Sequence, residues 1–266
     1  MSLAQHLDAK LRFDQQIANS GNDVLPFIIE NLKLPKEARI IEVGCGEGGV
    51  LVPFLIQGYH CVGVELQPYR VELANHFLAE FIEKKEARLV NKNIYDLDFL
   101  GEFKGQFDLI ILKDAIEHIP DQEKLIGYLK KLLKPKGAIF FGFPPWYMPF
   151  GGHQQICKNK YLSKLAYMHL LPVFFYKKLL QWGGEKENTI QELLEIKETG
   201  ISIERFEKIC RHHHFKFLKK RFYFINPIYK YKFGLKPRIQ NPIIARIPFF
   251  RNFVTTCVYY LISPED

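Results

Sequence analysis

The chain has 266 residues, of which 47% are hydrophobic, and its net charge is +8. This apolar content is typical of a chain with a buried core and excludes a largely disordered protein. The polar first residues predict no signal peptide, and no apolar run reaches the roughly 20 residues of a membrane span. The five scattered cysteines form no disulfide or zinc pattern. We therefore expect a cytoplasmic protein.

The predicted elements alternate between helix and strand along the first 143 residues. Apolar positions spaced three and four apart over 5–32 predict two helices, which Ser20-Gly21-Asn22-Asp23 is expected to separate. Strands are predicted at 39–43, 60–66, 88–91, 107–112, 138–143, 216–225 and 255–262, and helices at 50–56, 69–81, 121–133 and 202–214, with Asp121 and Ser202 as N-caps. This order predicts a doubly wound, mostly parallel α/β sheet.

The first strand runs into a glycine-rich turn, Glu42-Val43-Gly44-Cys45-Gly46-Glu47-Gly48. A strand, a glycine turn and a helix in this order hold adenosine-containing cofactors, because glycine lets backbone approach the ligand and permits positive φ. Gly44, Gly46 and Gly49 also satisfy G-x-G-x-x-G, which leaves a nicotinamide or flavin cofactor open. Glu42 disfavours that alternative, since its carboxylate would lie near a pyrophosphate, whereas it suits a cofactor with sulfonium and ammonium groups.

This turn closely resembles motif I of the class I S-adenosylmethionine-dependent methyltransferases, and the resemblance covers about residues 39–143. It is similar to the small-molecule methyltransferases of the type 11, 12 and 23 group. The resemblance implies a seven-stranded Rossmann-like sheet that ends in an antiparallel pair, S-adenosylmethionine as cofactor and S-adenosylhomocysteine as product. It places the methyltransferase domain at 37–145 and 200–266, N-terminal helices at 1–36 over the cofactor, and a helical, aromatic substrate lid at 146–199.

The candidate cofactor-binding residues lie in the turn and at the ends of the next three strands. They are Glu42, Gly44, Cys45, Gly46, Gly48, Glu65, Leu66, Asn93, Ile94, Lys113 and Asp114. Glu65 ends the second strand, where a carboxylate accepts from both ribose hydroxyls, although a solvated strand-end acid is the alternative. Asn93 stands where the family has an Asp facing adenine, and its carbonyl oxygen still accepts. Lys113 and Asp114 would line the methionine end.

The segment from Leu112 to Ile119 resembles the D-x-x-E-H segment of small-molecule methyltransferases. His118 is the first general-base candidate because its ordinary pKa lies near neutrality. In the alternative interpretation, Glu117 and His118 only fix the start of the next helix. Asp114, Glu117 and His118 also have a spacing that permits a divalent metal. A metal-free site is favoured because most relatives with this segment need no metal, so no metal is assigned.

A second distinctive segment, 144–155, follows the fifth strand and is expected to overhang the same edge of the sheet. Trp146 and Tyr147 offer flat surfaces to a planar or sugar-like acceptor and are the candidate substrate-binding residues. His153 is the second base candidate and is also expected to contact substrate. The alternative is a loop that is packed by its own aromatic side chains.

The basic residues concentrate in the C-terminal part. Residues 146–266 hold 20 basic and 9 acidic residues, a net +11, with many aromatics between them. Within this part, 158–182 is apolar, aromatic and flanked by lysine. It suits a peripheral membrane contact, a lid over an apolar substrate or a homodimer contact, and a helical insertion packed on its own domain is favoured over these.

Together these patterns predict methyl transfer to oxygen of a small-molecule, sugar- or lipid-linked acceptor. An RNA methyltransferase is one alternative, because aromatic and basic residues are interleaved. Nucleic acid is disfavoured because no RNA-binding module is recognised and the basic residues are dispersed. A non-catalytic protein that binds the cofactor and a membrane surface is the other alternative.

Overall fold

The computed structural model describes residues 8–265, and the expectation of helix at 5–7 lies outside the described residues. Its strands are β1 (Arg39–Val43), β2 (His60–Val64), β3 (Ala87–Val90), β4 (Phe107–Lys113), β5 (Leu133–Phe143), β6 (Phe215–Ile225), β7 (Arg238–Ile239) and β8 (Cys257–Pro264). They form one sheet in the order β3-β2-β1-β4-β5-β8-β6-β7. The neighbours from β3 to β5 are parallel, and β8 pairs antiparallel with both β5 and β6.

The doubly wound, mostly parallel sheet is therefore confirmed, with eight strands instead of seven. The additional strand, β7, has two residues and pairs antiparallel with Tyr223 and Ile225 of β6. Two residues are too few to produce an alternating pattern, and prolines at 237 and 242 bound the segment. Periodicity in the sequence therefore does not reveal this strand.

The helices surround the sheet and connect its strands. They are α1 (Ala9–Asn19), α2 (Leu25–Ile29), α3 (Val52–Ile56), α4 (Pro68–Phe77), α5 (Ala79–Glu83), α6 (Leu97–Phe103), α7 (Gln122–Lys130), α8 (Val173–Trp182), α9 (Glu187–Thr199), α10 (Ile203–His212), α11 (Tyr229–Phe233), α12 (Pro242–Ala245) and α13 (Phe250–Phe253). Asp121 and Ser202 cap α7 and α10, accepting from the backbone N–H groups of Lys124 and Arg205 at 3.1 Å, which confirms the predicted caps.

Two expectations about helix boundaries are wrong. Ser20–Val24 does not separate two helices but forms a π-helical turn that joins α1 to α2. The hydroxyl of Ser20 donates to the carbonyl oxygen of Val50 at 2.7 Å, so this polar residue ties the helix to the segment after the glycine turn. The predicted helix 69–81 is divided at Leu78, whose buried side chain packs against Gly48.

The apolar residues form two large buried clusters that include the strands and a third, smaller cluster in the insertion after β5. The third cluster is Cys157, Leu162, Met168, Tyr176, Leu180, Ile190 and Leu193. The helical insertion after β5 therefore has a small core of its own. Within residues 8–265, every helix is too short or too polar to cross a lipid bilayer.

Candidate active site

The glycine turn is fixed at the carboxyl edge of the sheet. The backbone N–H groups of Gly44 and Cys45 both donate to the carbonyl oxygen of Val64, at 2.8 and 3.1 Å, so the turn is attached to the end of β2. Gly44 has φ of +77°, and a Cβ there would lie 3.2 Å from the Cβ of Ala115. Glycine therefore lets the turn approach the segment after β4 that carries His118.

Glu65, at the end of β2, is buried and connects the turn to the start of α4. Its two carboxylate oxygens accept from the backbone N–H groups of Gly46 and Gln67, each at 3.0 Å. Each oxygen keeps a second lone pair, which is the acceptor capacity that a ribose diol needs. Leu66 follows with an exposed side chain, and the ribose role of Glu65 stays a prediction.

Asn93 and Ile94 lie in a tight turn after β3. The side-chain oxygen of Asn93 accepts from the backbone N–H of Tyr95 at 3.0 Å, and the backbone N–H of Asn93 donates to Asp96 at 3.0 Å. The amide is thus partly used to shape the turn, as is usual for an Asx turn. Ile94 is buried beside it. Contact of either residue with adenine stays a prediction.

Three polar side chains in or near the glycine turn, Glu42, Cys45 and Lys113, are buried. Glu42 is buried in β1, and burial raises its pKa well above the ordinary value, although the charge of Lys113 acts in the opposite direction. Burial also acts to lower the pKa of Lys113, but its contact with the Asp114 carboxylate holds that pKa above the ordinary value. Burial likewise raises the pKa of the Cys45 thiol, which makes it a weak nucleophile.

Asp114 differs from these groups because its side chain is nearly half exposed. Its φ is +51°, and its backbone N–H donates to the carbonyl oxygen of Gly142 at 2.7 Å, so the strand end turns sharply here. Desolvation acts to raise the pKa of Asp114, but the charge and hydrogen bond of Lys113 outweigh it, so the pKa lies below its ordinary value. An ionised, accessible carboxylate at this edge suits the cationic end of the cofactor, and this role stays a prediction.

The two base candidates, His118 and His153, meet edge-to-face with their ring centroids 4.9 Å apart. Glu117 joins them, since one carboxylate oxygen and one nitrogen of each ring all lie within 4.8 Å of one another. Desolvation lowers the pKa of His118, so its imidazole is neutral and able to accept a proton near pH 7. The structure thus brings together residues that lie 35 positions apart in the chain.

Glu117 was expected only as a helix-start residue or a metal ligand, and its environment is unusual. Neither carboxylate oxygen has a hydrogen-bond partner among residues 8–265, although both are buried. Burial first, and the Asp114 carboxylate second, raise the pKa of Glu117 to about 8. The D-x-x-E-H spacing was the only signal in the sequence that pointed to this residue.

The cluster also fits a divalent metal. A carboxylate oxygen and two imidazole nitrogens form a ligand set that transition metals accept, and a bound cation would satisfy the buried Glu117 carboxylate. Its members are Glu117, His118 and His153, so His153 takes the place that the sequence suggested for Asp114. The absence of a metal stays a prediction.

The loop from 144 to 153 is held by contacts of Trp146 with His169 and with the segment at 200–201. Trp146 donates from its backbone N–H to the carbonyl oxygen of Ile201 at 2.9 Å, and its own carbonyl oxygen lies 2.8 Å from Nε2 of His169. The indole packs so tightly on Gly200 that a Cβ there would lie 2.4 Å from the ring. Trp146 is therefore partly an anchor of the loop, while Tyr147 is exposed. Contact of either with substrate stays a prediction.

The last helix of the insertion, α9, contacts the turn that carries Glu117 and His118. The hydroxyl of Thr199 donates to the carbonyl oxygen of Glu117 at 2.6 Å, and the side-chain amide of Gln122 donates to the carbonyl oxygen of Thr199. The turn at Ile116–His118 is thus fixed to α9 by direct hydrogen bonds. No motif or spacing in the sequence predicts this contact.

The N-terminal helix α1 packs on the glycine turn. Arg12 forms an ion pair with the buried carboxylate of Glu47 at 2.5 Å. A Cβ at Gly49 would lie 2.6 Å from the carbonyl oxygen of Phe13, so glycine is required for this close packing. The position of α1 is consistent with N-terminal helices that cover the cofactor site, and that covering role stays a prediction.

Comparison with known proteins identifies the family. A family model described as a methyltransferase domain matches residues 14–170, which is more than half of the chain. The chain belongs to this methyltransferase family. The membership predicted from the glycine turn is thereby confirmed, and the cofactor is S-adenosylmethionine, not a nicotinamide or flavin nucleotide.

Among curated relatives, the chain is similar to proteins named ubiquinone biosynthesis O-methyltransferase. It is 29% identical to the Coxiella burnetii protein (strain RSA 493 / Nine Mile phase I) over 119 residues, which are 44% of this chain and 47% of that protein. It is 32% identical to the Xylella fastidiosa protein (strain 9a5c) over 105 residues, 39% of this chain and 40% of that protein. The matched segments span less than half the length of these relatives.

Solved structures show the same fold at lower identity. The geranyl diphosphate C-methyltransferase from Streptomyces coelicolor, solved with Mg²⁺, geranyl diphosphate and S-adenosyl-L-homocysteine, has a TM-score of 0.58 and 14% identity, covering 91% of this chain and 78% of that one. A putative sarcosine dimethylglycine methyltransferase from Galdieria sulphuraria has a TM-score of 0.58 and 14% identity, covering 92% and 85%. These similarities confirm the Rossmann-like methyltransferase fold.

Proposed function

We propose that the protein methylates a hydroxyl oxygen of a small-molecule, sugar- or lipid-linked acceptor. The observation that carries this proposal is the meeting of His118 and His153 beside Glu117, because a hydroxyl must lose a proton when it is methylated. The curated relatives named as O-methyltransferases support transfer to oxygen. A cytoplasmic location is a further part of the proposal, and 158–182 is the segment that would contact either a membrane surface or a second copy of the chain.

The residues of the site would act mainly by orientation and proton transfer. When bound, S-adenosylmethionine supplies a methyl group on a positively charged sulfur, which is already a strong electrophile. The turn and the edge of the sheet align acceptor oxygen, methyl carbon and sulfur, and such orientation contributes roughly 7–11 kcal/mol. His118, neutral near pH 7, would take the proton that the acceptor hydroxyl loses on methylation. His153 packs edge-to-face against this ring and would help to orient it.

Glu117, His118 and His153 would also be the residues that hold a divalent cation, if one binds. Such a cation would supply Lewis-acid stabilisation of an acceptor oxygen and would lower the pKa of its hydroxyl group. The buried, unpartnered carboxylate of Glu117 favours this use of the cluster. If a bound cation activates the acceptor, a chelator should lower the rate of methyl transfer. If a histidine acts as the base without a cation, the chelator should leave that rate unchanged.

We expect the double variant His118→Gln, His153→Gln to lose about 10²- to 10⁴-fold in turnover, because it lacks the base. Transfer of labelled methyl from S-adenosylmethionine is measured with a panel of hydroxylated acceptors, with and without apolar chains. Calorimetric binding of S-adenosylhomocysteine should stay unchanged, and His76→Gln, on the exposed face of α4, is the control. Full turnover in the double variant would refute the role of both histidines.

Three further results separate the alternatives. Loss of turnover in EDTA that returns with added Mg²⁺ or Mn²⁺ would place a cation at the cluster, and an unchanged rate would leave the histidines as the base. Methyl transfer to RNA alone, falling with salt as phosphate contacts require, would replace the small-molecule acceptor. Binding of S-adenosylhomocysteine without transfer to either class would favour the non-catalytic protein.

A further inference from the structure

Helix α8 exposes an aromatic face on the outside of the insertion. Phe174 and Phe175 are 61% and 59% exposed, and Trp182, two turns further along the helix, is 82% exposed. The helix buries its other face, where Tyr176 and Leu180 belong to the core of the insertion. Since α8 already packs on the core of the insertion through its buried face, its exposed aromatic residues are not needed for that packing.

A second exposed apolar segment lies in the C-terminal part, around α12 and α13. Ile243 is 73% exposed and Phe249 is 68% exposed, and Phe250 follows. Phe249 has φ of +61°, which is strained for a phenylalanine. Glu204 holds this strained position, because its carboxylate accepts from the backbone N–H of Phe249 and from Nε of Arg251, both at 2.9 Å.

The chain just before α8 contacts α13, which links the two segments. The hydroxyl of Tyr167 donates to the carbonyl oxygen of Phe253 at 3.0 Å, and the two rings lie 6.3 Å apart. The ring of Tyr147, in the loop that carries His153, lies 5.5 Å from the ring of Phe253. We call the exposed residues of both segments the aromatic surface, and this surface adjoins the loop that contributes to the catalytic cluster. Its members are Leu171, Val173, Phe174, Phe175, Trp182, Ile243, Ile247, Phe249 and Phe250.

Within the two segments that carry the aromatic surface every charged residue is basic, although Lys177 pairs with Glu187 and Arg251 pairs with Glu204 and Glu207. Residues 158–182 contain five lysines and no acidic residue, and residues 227–253 contain six basic residues and no acidic residue. Lys160, Lys178 and Arg246 are exposed within these segments. Apolar side chains surrounded by cations match a surface that is apolar below and anionic above, which is the interface of an anionic bilayer.

The aliphatic members distinguish a bilayer from RNA as the occupant. Val173, Ile243 and Ile247 are exposed, and they offer no flat ring on which a base could stack. They gain free energy only by leaving water for an apolar phase. Branched aliphatic residues beside phenylalanine therefore favour acyl chains.

We propose that the aromatic surface docks on an anionic phospholipid bilayer and brings the loop that carries His153 to the lipid. Docking itself is independent of the methylation chemistry. Its consequence, delivery of an apolar acceptor from the bilayer to the catalytic cluster, rests on the proposed function.

The test is co-sedimentation with sucrose-loaded vesicles of phosphatidylcholine alone or of equal parts phosphatidylcholine and phosphatidylglycerol. The protein should sediment with the anionic vesicles, and binding should weaken with salt because the lysines are exposed. The double variants Phe174→Ser, Phe175→Ser and Phe249→Ser, Phe250→Ser should each lose at least about tenfold in partition coefficient, since two phenylalanines no longer leave water. Ile56→Ser, Leu97→Ser is the matched control, because both residues are exposed but lie outside the aromatic surface.

Equal sedimentation of all variants, or no sedimentation with either vesicle, would overturn the proposal. A dimer in light scattering that both aromatic variants convert to monomer, without vesicle binding, would assign the surface to a second copy and also overturn it. RNA binding that these variants abolish would do the same. Calorimetry with S-adenosylhomocysteine shows that each variant is folded. Vesicle binding without methyl transfer would count against the proposed function alone.

Discussion

Glu42 is a carboxylate placed where it is costly to ionise. It is buried in β1, and one of its oxygens has no hydrogen-bond partner among residues 8–265. Burial raises its pKa in the folded protein well above the value near 4.5 of an unfolded chain. The folded state therefore binds the proton of Glu42 more tightly, and the stability that this provides is present at low pH and lost as pH rises through the folded pKa.

Replacing Glu42 with Gln should remove this pH dependence. The free energy of unfolding of the wild type, relative to Glu42→Gln, should fall as pH rises from about 5 to about 8, with a slope of at most about 1.4 kcal/mol per pH unit. Urea unfolding at several pH values measures this difference. Glu72→Gln, at an exposed position of α4, is the control, and parallel curves for wild type and Glu42→Gln would refute the assignment.

At the scale of elements, the insertion contacts both segments that carry the base candidates. Its helix α9 ends at Thr199, whose hydroxyl binds the backbone of Glu117, and its 3₁₀ turn places His169 against Trp146. The turn that carries Glu117 and the loop that carries His153 are thus both held by hydrogen bonds from the insertion. Because reaction rates depend steeply on the orientation of the base, these contacts should affect catalysis without touching the cofactor.

Thr199→Val tests Thr199 as a positioning residue, since valine keeps the shape and removes the hydroxyl. We expect kcat to fall by about tenfold because the turn that carries His118 is no longer held, while the dissociation constant for S-adenosylhomocysteine stays the same. Thr189→Val, near the start of the same helix, controls for a general effect on α9. Equal losses in both variants, or a parallel loss of cofactor binding, would contradict a positioning role.

Across the whole molecule, α1 links two parts of the chain that are distant in sequence. The N-terminal α1 contacts the glycine turn through Arg12 and Glu47, and it contacts α11 through Gln15, whose side-chain amide donates to the carbonyl oxygen of Tyr231 at 3.3 Å. The glycine turn is therefore connected through α1 to the C-terminal part of the chain. Exchange of the cofactor product should require these contacts to open.

Arg12→Gln should speed that opening. We expect the dissociation rate of S-adenosylhomocysteine to rise by about tenfold, because the buried Glu47 carboxylate loses its 2.5 Å partner on α1. Stopped-flow displacement measures this rate. Lys10→Gln is the matched control, since Lys10 pairs with Asp14 on the exposed face of the same helix. An unchanged dissociation rate in Arg12→Gln would show that α1 does not control release.

The sequence by itself determined the sheet and the cofactor class. Local features of the chain carry these predictions: the apolar runs of the strands, the glycines of 44–48 and the cap residues Asp121 and Ser202. Because each of them shapes the backbone close to itself in the sequence, its pattern can be recognised without a structure. Two departures from these predictions have different causes. Two-residue β7 has no periodicity, and the polar run at 20–23 continues the helix because Ser20 finds a partner 30 residues away.

Tertiary structure alone decided how the site is assembled. His118 and His153 were each nominated from the sequence, but only folding brings their rings together and adds Glu117. Sequence patterns likewise did not predict the raised pKa of Glu117 or the hydrogen bond from Thr199 to its backbone. They also did not predict the contact of Tyr167 with Phe253. Each depends on burial or on packing between residues distant in the chain, and neither quantity follows from local composition or spacing.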